Sequence, residues 1–251
     1  MALYRRPPNQ LLASLPQPAF DVLRPELRTV ALALGEVLIE SGRLLTRVYF
    51  PHSGIISSIV NLADGETIEV AMVGRCGVFG ASAVLNGGSS PTGAVVEFAG
   101  TASVIDAKPF LLAVAASEPL RALLMQQQWG ELVRTEQFAA CNASHDLAAR
   151  ICRRLARMRD LALSDSLPLT QEVLARLLGV RRNSVSLVAG ALQEAGVIRY
   201  TRGRIDIVDP AGLMARACEC YWTNKAQGRM SGGAPPPAER RCVISSAPRR
   251  P

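Results

Sequence analysis

The sequence predicts an α+β chain: an N-terminal antiparallel β-roll of jelly-roll type, a long dimerisation helix, and a C-terminal winged helix-turn-helix. Three observations carry this reading. Short Val- and Ile-rich runs alternate with glycine breakers from Val30 to about Asp106. A helical stretch then runs from Glu118 to about His145 without an interior proline. Near Thr170, a capped helix, a glycine turn and a second helix follow one another, trailed by two short strand patterns.

Taken in chain order, residues 1–29 read as a helical arm, with Leu11, Leu12 and Leu15 before Pro16, then Phe20, Leu23 and Leu27. Residues 30–116 read as the β-roll and its closing helix. Its strand runs are Val37–Ile39, Val48–Phe50, Ile55–Val60, Ile68–Val73 and Ala94–Phe98, with Asp64-Gly65 as a hairpin signal. Lys108 to Ala116 reads as a short helix, and residues 117–148 hold the long one. A helix of that length needs a partner for its apolar stripe (Leu120, Leu123, Leu124, Leu132, Val133, Phe138), either its own roll or a second subunit. Residues 149–225 form the second domain, opened by an amphipathic helix from Arg150 to Leu163. Residues 226–251, with Gly232-Gly233-Ala234-Pro235-Pro236-Pro237, read as a disordered basic, proline-rich tail.

Composition bounds the function. The 251 residues are 49% hydrophobic and 20% charged, so a mostly disordered chain is excluded. No apolar run approaches the roughly 20 residues needed to span a bilayer. Met1 to Gln10 carries Arg5, Arg6, Pro7 and Pro8 and lacks the apolar core of a secretory signal. A cytoplasmic protein with no membrane partner is expected. Cys76, Cys141, Cys152, Cys218, Cys220 and Cys242 form no CxxC and no N-terminal cluster. Buried thiols, with no metal and no iron–sulfur centre, are the expectation, with redox sensing or metal capture as the alternatives. The net charge of +7 is unevenly spread: residues 150–204 hold 11 Arg against 4 acids, while residues 1–149 hold 10 Lys/Arg against 13 acids. A basic segment of this kind can neutralise phosphates and release counterions.

The most informative stretch runs from Leu169 to Leu192. Thr170 is placed to cap a helix over Gln171–Leu178, and Gly179 permits the left-handed backbone that ends it. In the second helix Val185, Val188 and Leu192 share one face, and Ala175 is small where two helices must cross. Arg181, Arg182, Asn183, Ser184, Ser186 and Leu187 are left near its leading end, the end that enters a major groove. Arg can bond a guanine O6/N7 pair bidentately and Asn an adenine N6/N7 pair; Ser184 suits a phosphate. Val197–Val208 reads as a two-stranded wing around Arg202-Gly203-Arg204. Thr170, Gln171, the leading residues of the second helix, Arg202 and Arg204 are therefore the candidate contacts to double-stranded DNA.

Together with Val48–Ser57 and Ile68–Gly80 in the roll, and Ala217-Cys218-Glu219-Cys220-Tyr221 near the end, these motifs resemble the Crp/Fnr family of bacterial regulators over roughly residues 10–222. The resemblance implies a cyclic-nucleotide-binding-like roll and a homodimer on a palindromic operator. It implies half-sites about one helical turn apart, some 34–36 Å, and makes RNA polymerase a further candidate partner. It places the ligand pocket at Val78, Phe79, Gly80, Ala81, Ser82, Ser89, Ser90 and Thr92. Family members that bind a cyclic nucleotide carry a Gly-Glu pair for the ribose, then an Arg for the phosphate. Here Gly80 is followed by Ala81, the Arg position falls near Pro91–Thr92, and no cation stands between Arg75 and Lys108. Losing such a charge-assisted pair costs about 1.5–3 kcal/mol or more, so no cyclic nucleotide and no other cofactor are expected. Leu187 stands where many members place a base-reading Arg. Response to a cyclic nucleotide or other small ligand, and redox sensing, remain the alternative modes of regulation.

Catalysis finds no support. His52 and His145 are the only histidines, and Ser144, His145 and Asp146 are consecutive, so their side chains point apart on a helix. Gly87-Gly88-Ser89-Ser90 resembles a phosphate cradle but lacks a lysine. A roll acting mainly as a protein-interaction module is opposed by the intact Arg182 and Asn183.

Overall fold

The computed structural model describes residues 6–63 and 65–230, with side chains through residue 225. Asn9 caps the first helix, α1 (Gln10–Ser14), by accepting from the Leu12 N–H at 3.0 Å. Pro16 then breaks the chain ahead of α2 (Gln17–Leu23) and a 3-10 turn, Arg24–Glu26. Leu11, Leu12, Phe20 and Leu23 are buried against the roll, so this arm is part of its core. Strand β1 (Arg28–Leu32) starts inside the segment expected to be helical, because Arg28 already pairs with Val104.

The roll has two antiparallel sheets. β1, β7 (Gly100–Asp106) and β3 (Arg47–Pro51) form one, in that order; β2 (Val37–Ile39), β6 (Gly93–Phe98), β4 (Ile55–Asn61) and β5 (Thr67–Val73) form the other. β4 and β5 form the hairpin expected at Asp64-Gly65; Asp64 itself lies outside the described residues. The sequence marked neither β7 nor the short helix α3 (Ala81–Leu85) that follows Gly80. Gly80 must be glycine: its φ is +89°, and a Cβ there would stand 2.4 Å from the Leu45 side chain. Period-two alternation divides β4 between two faces. Ile56 enters the core of the roll, whereas Ile55 faces outward and is buried nonetheless, because the second domain packs there.

α4 (Ala107–Ala116) closes the roll, and Ser117 caps the 27-residue α5 (Glu118–Ser144). The two candidate partners for α5 divide its length. Leu120 and Leu124 bury in their own roll, while Met125, Trp129 and Leu132, at i, i+4 and i+7, stay exposed. Asp146 caps α6 (Leu147–Ala162), whose Ile151, Leu155, Met158 and Leu161 enter a second core.

That core is completed by β8 (Ser166–Leu167), α7 (Gln171–Leu178), α8 (Arg182–Glu194), β9 (Ile198–Thr201), β10 (Arg204–Ile207) and α9 (Pro210–Arg216). The last helix, α10 (Cys220–Met230), continues past residue 226, where disorder was expected; residues 231–251, including Cys242 and the Gly-Pro run, lie outside the described residues. Ile55, Met72 and Phe98 of the roll pack in the same cluster as α6 and α7, so an apolar interface joins the two domains. Among the described residues no helix is long and apolar enough to cross a membrane.

Candidate nucleic-acid interface and sensor pocket

The helix-turn-helix is built as its sequence dictates. Thr170 Oγ1 accepts from the Val173 N–H at 3.0 Å, and Gly179 ends α7 in the left-handed conformation, φ +62°. A Cβ at Gly179 would also meet Ile68 at 3.1 Å, since this turn lies against β5. Val185, Ala189 and Leu192 bury the inner face of α8, with Val188 partly buried. Arg181 precedes the first turn without a side-chain cap, leaving the leading N–H groups of α8 open to an anion.

Arg181, Arg182, Asn183 and Leu187 are exposed, Leu187 by 76%. Among the described residues, Arg181, Arg182 and Asn183 have no side-chain hydrogen bond or ion pair within the chain. Three other candidates, Thr170, Gln171 and Ser186, are engaged internally. Ser186 Oγ donates to Gln171 Oε1 at 2.7 Å, tying α8 to α7. Thr170 serves as the cap. All three can add a contact only through what that bonding leaves free. Ser184 is half-buried at the helix start. β9 and β10 pair around Arg202 and Gly203, and Arg202 and Arg204 are exposed beside them.

The basic segment is not one surface. Arg176, Arg181, Arg182, Arg199, Arg202 and Arg204 are exposed on α7, α8 and the wing. Arg153 and Arg154, by contrast, are buried on α6. Arg153 lies 4.7 Å over the Phe138 ring. Arg154 reaches into the roll, where Nη2 donates to Glu97 Oε1 at 2.8 Å and Nη1 donates to Glu69. Ser57 Oγ is 2.7 Å from a carboxylate oxygen of each glutamate. A hydroxyl has one proton, so both contacts are hydrogen bonds only when one carboxyl is itself protonated. Burial accordingly raises the Glu69 carboxyl to about 7, against the pull of Arg154.

The roll contains a cavity of about 340 Å³ lined by Val78, Phe79, Gly80, Ser82, Ser89, Ser90 and Thr92, and closed from α5 by Gln128 and Glu131. Ala81 is buried in α3 instead of lining it. No lining residue is a cation. Burial raises the Glu131 carboxyl, with Arg134 opposing. Sequence reasoning missed Gln128 and Glu131, because the apolar stripe of α5 says where the helix packs and not which of its polar residues reach the cavity. A larger cavity of about 560 Å³ opens between the roll and the second domain, with Arg75, Arg134 and Arg157 on its wall.

Cys141, His145, Cys218 and Cys220 also come together, with donor atoms all within 4.8 Å of one another. The sequence reading expected no metal ligands. Its only signal was the Cys-x-Cys at Cys218 and Cys220, because Cys141 lies 77 residues before Cys218. Asp146 caps α6 through the Ala149 N–H, so it does not serve His145.

A roll with an internal pocket, a long helix and a winged reader define a two-domain transcription regulator. Comparison agrees with this class. The sequence profile of the cyclic nucleotide-binding domain matches residues 29–117, and that of the Crp-like helix-turn-helix domain matches residues 149–216. The chain belongs to the Crp/Fnr family of transcriptional regulators.

Solved structures share its fold. FixK2 from Bradyrhizobium japonicum is 18% identical, with a TM-score of 0.65 over 76% of this chain and 98% of that one. TTHB099, a CRP-family regulator from Thermus thermophilus, is 22% identical, with a TM-score of 0.63 over 75% and 96%. CLP from Xanthomonas campestris, a c-di-GMP-responsive global regulator, is 17% identical, with a TM-score of 0.62 over 76% and 99%. No curated protein sequence matches the chain.

Proposed function

We propose that this chain is a sequence-specific DNA-binding transcription regulator that acts as a homodimer on a two-fold operator and does not respond to cyclic AMP. One observation carries the reading: the leading turn of α8 presents Arg181, Arg182 and Asn183 to solvent with no side-chain partner among the described residues. Long cationic and amide side chains left free at a helix start are suited to base edges and phosphates. Exposed Leu187 suits the methyl group of thymine. Arg202 and Arg204 on the wing suit the backbone. The Met125–Trp129–Leu132 stripe supports pairing through α5, which would set two readers on one duplex.

The test starts from an operator selected out of random duplexes. Arg182→Ala should cost about 1–3 kcal/mol on that operator and relax preference at one base pair. Arg202→Ala or Arg204→Ala should weaken binding on all sequences alike and flatten the salt dependence. Equal losses for Arg182→Ala on operator and random DNA would move the reading function away from this residue.

The 340 Å³ cavity favours a second element of the reading, that the roll responds to a small ligand of another kind. Hydroxyls, amides and one carboxyl suit a neutral or cationic polar molecule better than a phosphodiester.

A further inference from the structure

We propose that Cys141, His145, Cys218 and Cys220 hold one zinc ion in a tetrahedral Cys3His site that fastens the end of α5 to the start of α10. Two local spacings supply the donors. Cys141 and His145 stand at i and i+4 on the last turn of α5, where the His145 N–H bonds the Cys141 carbonyl at 3.0 Å. Cys218 and Cys220 flank Glu219 where α9 gives way to α10.

The distances suit a single ion. Cys141 Sγ and Cys218 Sγ are 3.4 Å apart, and Cys220 Sγ is 3.6 Å from His145 Nδ1. Donors around one tetrahedral zinc, with zinc–sulfur bonds of about 2.3 Å, stand roughly 3.7 Å apart. A [4Fe–4S] cluster gives each thiolate its own iron and a [2Fe–2S] cluster divides four ligands between two irons, so four donors this close fit one ion better.

The surroundings fit as well. His145 Nε2 is 3.1 Å from Glu219 Oε1, which holds the proton on Nε2 and turns Nδ1, with its free lone pair, toward the three thiols. Histidines that bind metal are typically oriented by such a carboxylate. Gln137 Nε2 donates to Cys220 Sγ at 3.0 Å, a bond that suits a thiolate. Three thiolates, a neutral imidazole and Zn²⁺ leave one negative charge. The buried guanidinium of Arg153 acts electrostatically on Cys141, and its Nε and Nη2 have no hydrogen-bond partner among the described residues. A Cys141–Cys218 disulfide would use two of the four residues and leave the orientation of His145 without a purpose.

The site would close a loop of 77 residues that contains almost the whole reader domain. It would thereby set how the reader hangs from the dimer helix.

The full-length chain, purified under reducing conditions, should contain one zinc per chain by elemental mass spectrometry. Cobalt(II) added to chelator-treated, reduced protein should give thiolate-to-cobalt charge-transfer absorption and the intense visible bands of tetrahedral geometry. Cys218→Ser should weaken both signals. Glu219→Gln changes an exposed side chain that the fold does not need, so it serves if Cys218→Ser fails to fold. It should keep the zinc but hold it about 10–100-fold less tightly against a chromophoric chelator. Folded, reduced protein that takes up neither zinc nor cobalt would overturn the proposal. So would iron with sulfide in place of zinc, or weak, octahedral-type cobalt bands.

Discussion

Replacing Arg154 with alanine should cost far more than the loss of one surface cation. Its side chain is 1% exposed, and the side chains of Glu69 and Glu97 are 1% and 5% exposed, so water cannot replace the guanidinium. Removing one partner of a buried ion pair typically costs about 3–5 kcal/mol, because the remaining charge stays buried and unpaired. Here two carboxyls are left, both at the junction between roll and reader.

The pH dependence gives a second check. In the native protein Glu69 is raised to about 7 from an ordinary 4.5. The folded state therefore binds more protons than the unfolded chain between those values. The contribution of Glu69 to stability is whole below the lower value and is lost as pH rises through the upper one. In Arg154→Ala neither carboxyl has a cation, so both favour the protonated form. The deficit relative to the native protein should shrink as pH falls toward about 5 and widen toward about 8.

Urea unfolding across that range measures both effects. Glu69→Gln is the control. It removes the surplus negative charge in the same shape and should lie within about 1 kcal/mol of the native protein. An Arg154→Ala loss below about 1 kcal/mol, or a deficit that grows on acidification, would refute the reasoning.

Three further outcomes are expected. Millimolar cyclic AMP should leave the melting temperature unchanged, because no cation lines the roll cavity; a clear upward shift would contradict the account of that pocket. Trp129→Lys should leave the fold intact, since Trp129 is 68% exposed, but should weaken dimerisation by about 2 kcal/mol or more, roughly thirtyfold, as sedimentation would show. Unchanged sedimentation would place the dimer contact elsewhere. Gly179→Ala should destabilise the reader by about 1 kcal/mol or more in thermal unfolding, because both φ +62° and the 3.1 Å approach to Ile68 oppose a side chain; an unchanged melting temperature would count against that packing.

Local signals carried most of the architecture. Alternating Val and Ile between glycines specified five of the roll strands, since a strand with one buried face needs that period. Thr170, Gly179 and the Val185/Leu192 spacing fixed the bounds of α7 and the inner face of α8, because caps and helical faces depend only on near neighbours. The exposed leading turn of α8 followed from the same spacing.

What local pattern could not give was which distant groups meet. On β5 and β6, Glu69 and Glu97 stand among apolar residues, and no local pattern pairs them with Arg154, 85 and 57 residues away; the docking of α6 brings that cation to them. For the same reason the eleven arginines of residues 150–204 look alike in sequence, yet two serve the interior and six face solvent around the reading helix. Cys141 and His145 acquire Cys218 and Cys220 as neighbours only once the reader folds back on the end of α5. Periodicity and capping are properties of a few consecutive residues. The burial of a charge, or the convergence of four donors, depends on the path of the whole chain.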